Sequence, residues 1–109
     1  MTKMTNKEQR NVATTSRLLS SQRRIHVLLA LREADSPLTI PVLVYETALR
    51  EVDSPSDVTE EHLKRVEITL RHVHLPMLAD FEVIRHHPDD DHVSLVGDGT
   101  LESVIEAVF

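Results

Sequence analysis

The residues of this sequence that could carry chemistry are its seven histidines and its carboxylates, because the chain contains no cysteine. Disulfide bonds, thiolate nucleophiles and the common cysteine-based zinc sites are therefore excluded. His87 and His92 flank a turn that holds Asp89 and Asp91, and two histidines with one carboxylate could bind a metal ion. Exposed polar residues of a turn explain the same pattern more simply. We expect no metal and no cofactor, and metal-responsive switching through His87 and His92 is an alternative hypothesis.

Enzyme motifs are missing from the sequence. It has only two glycines and contains no glycine-rich phosphate loop, no nucleophile elbow and no His-Glu-x-x-His helix. A single small domain also offers little depth for a substrate cleft. We therefore expect a protein that is not an enzyme and has no catalytic residues.

Basic and acidic side chains are distributed unevenly along the 109 residues, whose net charge is −6. Residues 1–34 carry seven basic and two acidic side chains, a net charge of +5, whereas residues 35–109 carry five basic and 16 acidic ones, a net charge of −11. Arginine outnumbers lysine by nine to three, and the acidic residues are spread along the chain. This pattern resembles that of proteins from salt-loving archaea, whose acidic surface serves solubility. The net charge therefore does not exclude binding to nucleic acid.

Membrane and secretion signals are missing as well. No window approaches the ~18 apolar residues of a membrane span, and the first 17 residues lack the apolar middle of a signal peptide. We expect a cytoplasmic protein without a membrane partner.

The spacing of the apolar residues predicts three helices, and these helices must position the candidate residues. The first follows the N-cap Ser21 and has a stripe of Ile25, Leu28, Leu29 and Arg32. After a short extended piece at 38–39, the second has a stripe of Val42, Tyr45, Leu49 and Val52. The third begins at a capping box of Asp57 and Glu60 and has a stripe of Leu63, Val66, Leu70, Val73 and Met77. Pro76 predicts a kink or break in it near 72–74.

After Phe81 the apolar pattern changes to the period of a strand. A hairpin in which His87 pairs with His92 places Ile84, Val93 and Leu95 on one face. A last amphipathic helix carries Leu101, Val104, Ile105 and Val108. The chain thus divides into a flexible basic N-terminal arm at 1–17, a folded domain at 18–96 and a C-terminal helix at 97–109 that caps the core or forms a dimer.

Three helices followed by a hairpin are the element order of a winged helix-turn-helix domain. Before the hairpin the chain reads His74-Leu75-Pro76-Met77-Leu78-Ala79-Asp80 and continues into Val83-Ile84. This run, with 23–31 and 65–70, resembles a family of small winged-helix domains from haloarchaea over about residues 20–96. The sequence departs from such proteins at Glu82, where they often have glycine. The resemblance implies an α+β winged helix-turn-helix with a three-helix core, a two- to three-stranded wing and an extra C-terminal helix, and a role in transcription regulation.

In a helix-turn-helix the second helix of the unit enters the major groove, and here that is the third helix. Basic residues on this helix, on the hairpin and near the start of the first helix could contact DNA. The candidates are Lys64, Arg65, Arg71, His72, Arg85, His87, Arg23 and Arg24. Glu60, Glu61 and Glu67 share the third helix, and 89–91 make the wing tip acidic, so a solvated charged surface is the alternative interpretation.

The chain has more apolar residues than one small core can bury, and this excess predicts self-association. Ile68 and Leu75 lie nearly opposite the main stripe of the third helix, and with the last helix they form the candidate dimer surface. The alternative is a last helix that folds back over the core. The leading hypothesis is a homodimeric transcription regulator that binds double-stranded DNA. The alternative is a protein-protein interaction module on the same scaffold that does not bind DNA.

Overall fold

The computed structural model of the protein describes residues 17–18 and 20–96. In this part of the chain, capping residues and prolines mark the boundaries between helices and strands. The helices are α1 (Gln22–Ala34), α2 (Ile40–Leu49), α3 (Glu60–Thr69) and α4 (Leu75–Asp80). The strands are β1 (Leu38–Thr39), β2 (Ile84–His87) and β3 (His92–Leu95). A 3₁₀ turn precedes α3 at Pro55–Asp57, and a π-turn joins α3 to α4 at Leu70–His74.

Side-chain caps set the start of α1 and of α3. Ser21 Oγ accepts a hydrogen bond from the backbone N–H of Arg24, which confirms the predicted start of α1. Thr59 Oγ1 accepts one from the backbone N–H of His62 and caps α3. The predicted capping box at Asp57 is therefore wrong, because Asp57 ends the 3₁₀ turn instead.

The sheet is antiparallel with strand order β1-β3-β2, so β3 lies in its centre. His87 pairs with His92, as predicted. The predicted extended piece is β1, whose Leu38 pairs with Val93. Ile84 and Val93 are buried against the helices, which confirms the predicted inward face of the hairpin.

Side chains from the three long helices and the sheet form one core. On α1 the buried face contains Val27, Leu28 and Leu31. The stripe predicted for this helix is therefore partly wrong, since Arg32 is exposed and Ile25 is only partly buried. The side chains that close the core from the other elements include Leu43, Val66, Leu70, Leu78, Val83 and Val93.

Helix α2 turns a different face inward from the one its spacing predicted. Leu43 and Val44 are buried, whereas Val42 and Tyr45 are 46% and 44% exposed. The predicted stripe of Val42 and Tyr45 is therefore wrong. The reason lies at Ile40, which directly follows β1 and is fully buried. Residues three, four and eight positions after it then face the core as well.

Pro76 interrupts the third predicted helix, as expected. Proline has no N–H to donate, and the N–H of Leu75 bonds to the carbonyl of Leu70, so a π-turn precedes α4. The extra residue shifts the helical phase, so Val73 is 47% exposed while His74 and Leu75 are buried. The predictions that Val73 belongs to the apolar stripe and that Leu75 belongs to a dimer surface are therefore wrong.

The described residues form an α+β fold of three helices, a short fourth helix and a three-stranded antiparallel sheet, an arrangement compatible with a winged helix-turn-helix. Residues 50–59 join α2 to α3, a longer connection than the three or four residues of a tight helix-turn-helix. No helix in the described part of the chain is long and apolar enough to cross a membrane. The predicted arm at 1–17, apart from Arg17, and the predicted C-terminal helix at 97–109 lie outside the described residues.

Candidate nucleic-acid interface

Polar side chains around Glu51 fix α3 against α1. The Glu51 carboxylate accepts hydrogen bonds from Arg23 Nε and Nη2 at 2.5 and 2.9 Å, and from His62 Nε2 at 2.8 Å. Arg23 Nη1 also donates to Thr69 Oγ1 at 2.9 Å. Burial raises the pKa of Glu51, but the hydrogen bonds from Arg23 and His62 outweigh it and hold this pKa below its usual value. Arg23, one of the predicted DNA contacts, therefore positions α3.

Arg24 lies inside the domain, where it is only 6% exposed. Its Nη1 donates to His74 Nδ1 at 3.2 Å, and its Nη2 donates to the Arg17 carbonyl and to Ser20 Oγ, both at 2.9 Å. Because arginine only donates, the His74 ring accepts at Nδ1 and is neutral. Burial, and then the Arg24 cation, lower the pKa of His74. The predicted DNA contact of Arg24 is therefore wrong.

The outward face of α3 and the π-turn has Ile68 at its centre. Ile68 is 51% exposed, and exposed polar residues lie three or four positions before and after it. Arg65 Nη1 pairs with Glu61 at 3.1 Å. Lys64 and His72 make no ion pair with any described residue. Exposed pairs one helical turn apart contribute only about 0.3–0.5 kcal/mol, so an incoming phosphate can replace the Glu61 carboxylate at Arg65.

Arg71 connects the end of this face to the tip of the hairpin. Its Nη2 and Nη1 donate to the two carboxylate oxygens of Asp91 at 2.8 and 3.4 Å, and its Nε donates to Glu67 at 3.0 Å. His86 Nε2 donates to Asp91 at 3.1 Å. The hydrogen bonds from Arg71 and His86 lower the pKa of Asp91, which is therefore a carboxylate at neutral pH.

Two further candidates lie on the outer face of the sheet. Strand alternation places Arg85 and His87 opposite the face that packs on the helices. His87 Nε2 lies 3.2 Å from Ser94 Oγ, and His92 Nδ1 lies 3.4 Å from a carboxylate oxygen of Asp90. Within residues 17–18 and 20–96, no group of three or more His, Asp and Glu side chains could hold a metal ion.

One known family model matches the part of the chain that contains most of these helices and strands. Residues 16–94 match the family model described as "Domain of unknown function (DUF7344)". The chain belongs to this family. The DUF7344 match contains the four helices, β1, β2 and nearly all of β3, and the family description states no function. No curated protein and no solved structure matches the chain.

The DUF7344 fold separates the eight predicted DNA contacts into three groups. Arg23 and Arg24 hold the fold together, and Arg85 and His87 lie on the outer sheet face. The remaining four share the outward face of α3 and the π-turn: Lys64, Arg65, Arg71 and His72. The sequence did not mark the carboxylates that organise the arginines, because Glu51 and Asp91 pair with residues 28 and 20 positions away.

Proposed function

We propose that the protein is a winged-helix transcription regulator that binds double-stranded DNA, with α3 as the helix that enters the major groove. The observation that carries this proposal is the group of four cationic or ionisable side chains on one outward face: Lys64, Arg65, Arg71 and His72. Phosphate contacts supply most of the affinity of such proteins. Ile68, at the centre of the same face, suits contact with thymine methyl groups.

Fluorescence anisotropy with a labelled DNA duplex tests this proposal. Titrations in potassium chloride up to molar strength suit the salt-adapted protein that the composition predicts. The logarithm of the affinity is expected to fall with the logarithm of the salt concentration, with a slope of about 0.9 for each phosphate contacted. Lys64→Ala is the sharpest single variant, because it disturbs no ion pair among the described residues. It is expected to weaken binding and to lower the slope by about 0.9.

Arg50→Ala is the matched control for Lys64→Ala. It also removes one positive charge, but at the end of α2, where Arg50 pairs with Glu33 and Glu46. Its affinity for DNA is expected to stay close to that of the wild-type protein. Equal losses in Lys64→Ala and Arg50→Ala would remove α3 from the interface. Absence of DNA binding at every salt concentration would refute the function.

We propose further that the protein acts as a homodimer, because a two-fold protein matches two DNA half-sites. Ile68 lies among the DNA-contacting candidates, and we assign it to the DNA surface. Leu75 belongs to the core. The dimer prediction then depends on four residues outside the described part of the chain: Leu101, Val104, Ile105 and Val108. Light scattering at the concentrations used for DNA binding measures the mass, and a monomer would refute the dimer.

A second candidate function is a protein-protein interaction module that does not bind DNA. It is favoured by an apolar centre, Ile68, surrounded by ion pairs, which is the layout of many protein interfaces. Three acidic residues of α3 balance the three basic ones on or next to it: Glu60, Glu61 and Glu67. In this case Ile68→Ser would abolish binding to the partner protein, Lys64→Ala would preserve it, and neither would bind DNA.

A further inference from the structure

We propose that Asp91 occupies the phosphate-binding site of Arg71 in the free protein, so that the wing tip opposes DNA binding until a backbone phosphate displaces it. This inference rests on the proposed DNA-binding function. The acidic wing tip is unsuited to following the DNA backbone. In this inference it competes with a DNA phosphate for Arg71.

The geometry at Arg71 is that of phosphate recognition. Nη2 and Nη1 face the two carboxylate oxygens of Asp91 at 2.8 and 3.4 Å, a fork that a guanidinium also forms with two phosphate oxygens. Nε is bonded to Glu67 at 3.0 Å. With both carboxylates in place, Arg71, Asp91 and Glu67 together carry a net charge of −1, which does not attract a phosphate. Removal of Asp91 alone would expose the side of the guanidinium that Nη1 and Nη2 form.

The main chain holds Asp91 in place independently of its carboxylate. Its backbone carbonyl accepts a hydrogen bond from the N–H of Ile40, at the start of α2, at 3.1 Å. Its φ of 53° places it in the left-handed region at the end of the hairpin turn. The wing tip is thus anchored to the helical core by a contact that would persist after the carboxylate leaves Arg71.

The contact is also exposed enough to be exchanged. The side chains of Arg71 and Asp91 are 36% and 41% exposed, so water and salt weaken their attraction. An open groove of about 190 Å³ lies beside Arg71, which lines it together with Leu75, Pro76, Ala79 and His86. A phosphate can therefore reach the Arg71 guanidinium from this side without rearrangement of the core.

Asp91→Asn, compared with Asp90→Asn, tests the inference by anisotropy with the same duplex. Both variants remove one negative charge from the wing tip, but Asp90 lies near His92 and does not contact Arg71. Asparagine tolerates the left-handed backbone at 91. Asp91→Asn is expected to bind DNA about two- to fivefold more tightly than the wild-type protein, the range that an exposed ion pair allows. Asp90→Asn is expected to give a clearly smaller gain.

Two further variants keep the test decisive. Adding Arg71→Ala to Asp91→Asn is expected to cancel the gain, because the freed guanidinium is its source. Asp91→Gly removes the carboxylate at no backbone cost, and it replaces Asp91→Asn if the latter fails to fold. Equal gains in the Asp90 and Asp91 variants, or a gain that survives Arg71→Ala, would overturn the inference and leave DNA binding standing. Absence of DNA binding by the wild-type protein and by every variant would refute both.

Discussion

Replacement of Glu51 by alanine is expected to lower the free energy of unfolding by about 2–3 kcal/mol, because this carboxylate joins α1 to α3. The change removes three hydrogen bonds, two from Arg23 and one from His62. Removing one partner of a fully buried ion pair costs about 3–5 kcal/mol. Glu51 and Arg23 are 15% and 27% exposed, so water partly solvates the guanidinium left behind and lowers this cost.

Urea unfolding followed by circular dichroism measures the effect. A double-mutant cycle with Arg23→Ala isolates the pair, whose coupling is expected to be about 1–2 kcal/mol. Glu61→Ala is the matched control, since its pair with Arg65 is 82% and 61% exposed and is expected to contribute less than about 0.5 kcal/mol. A Glu51→Ala cost no larger than that of Glu61→Ala would show that Glu51 does not hold α3 in place.

Three other predictions test the fold. Glu82→Gly is expected to raise the free energy of unfolding by about 0.5–1 kcal/mol, because the φ of Glu82 is 61°, where glycine is favoured; an unchanged urea midpoint would contradict this. Leu43→Ala is expected to cost about 2–5 kcal/mol and Val42→Ala less than about 0.5 kcal/mol, since only Leu43 is buried, and the opposite order would show that α2 turns its other face inward. Stability is expected to decline as the pH falls below 6.5, the usual pKa of histidine, because burial lowers the pKa of His74 and the unfolded chain then binds more protons. His74→Gln should reduce this decline and the exposed control His72→Gln should not; identical pH profiles for both would exclude His74 as a cause.

Features set by near neighbours could be predicted from the sequence. The pairing of His87 with His92 follows from strand alternation on both sides of one short turn. The break before α4 follows from the missing N–H of Pro76, whatever surrounds it. Ser21 caps α1 through a contact with a residue three positions away.

Features that depend on a choice between local alternatives could not be predicted. Helix α2 has two apolar stripes, and the contact of Ile40 with the core after β1 decides which one is buried. Pro76 predicts a break but not the π-turn, whose extra residue exchanges Val73 for Leu75 in the core. The residues of the candidate interface could not all be predicted either, because Arg24 is buried by a contact with His74, which lies 50 residues away in the sequence.

The two candidate functions require different parts of the same face of α3. Phosphate contacts depend on Lys64 and weaken with salt, whereas a protein interface depends on desolvation of Ile68 and responds little to salt. Because Arg65 and Arg71 are paired with carboxylates, this face attracts DNA only weakly at long range, and affinity must come from exchange of those carboxylates for phosphates at contact. The two variants therefore separate the two functions even though both alter one surface. A lower salt slope of DNA binding in Lys64→Ala supports the DNA-binding function, whereas loss of a protein partner in Ile68→Ser alone supports the interaction module.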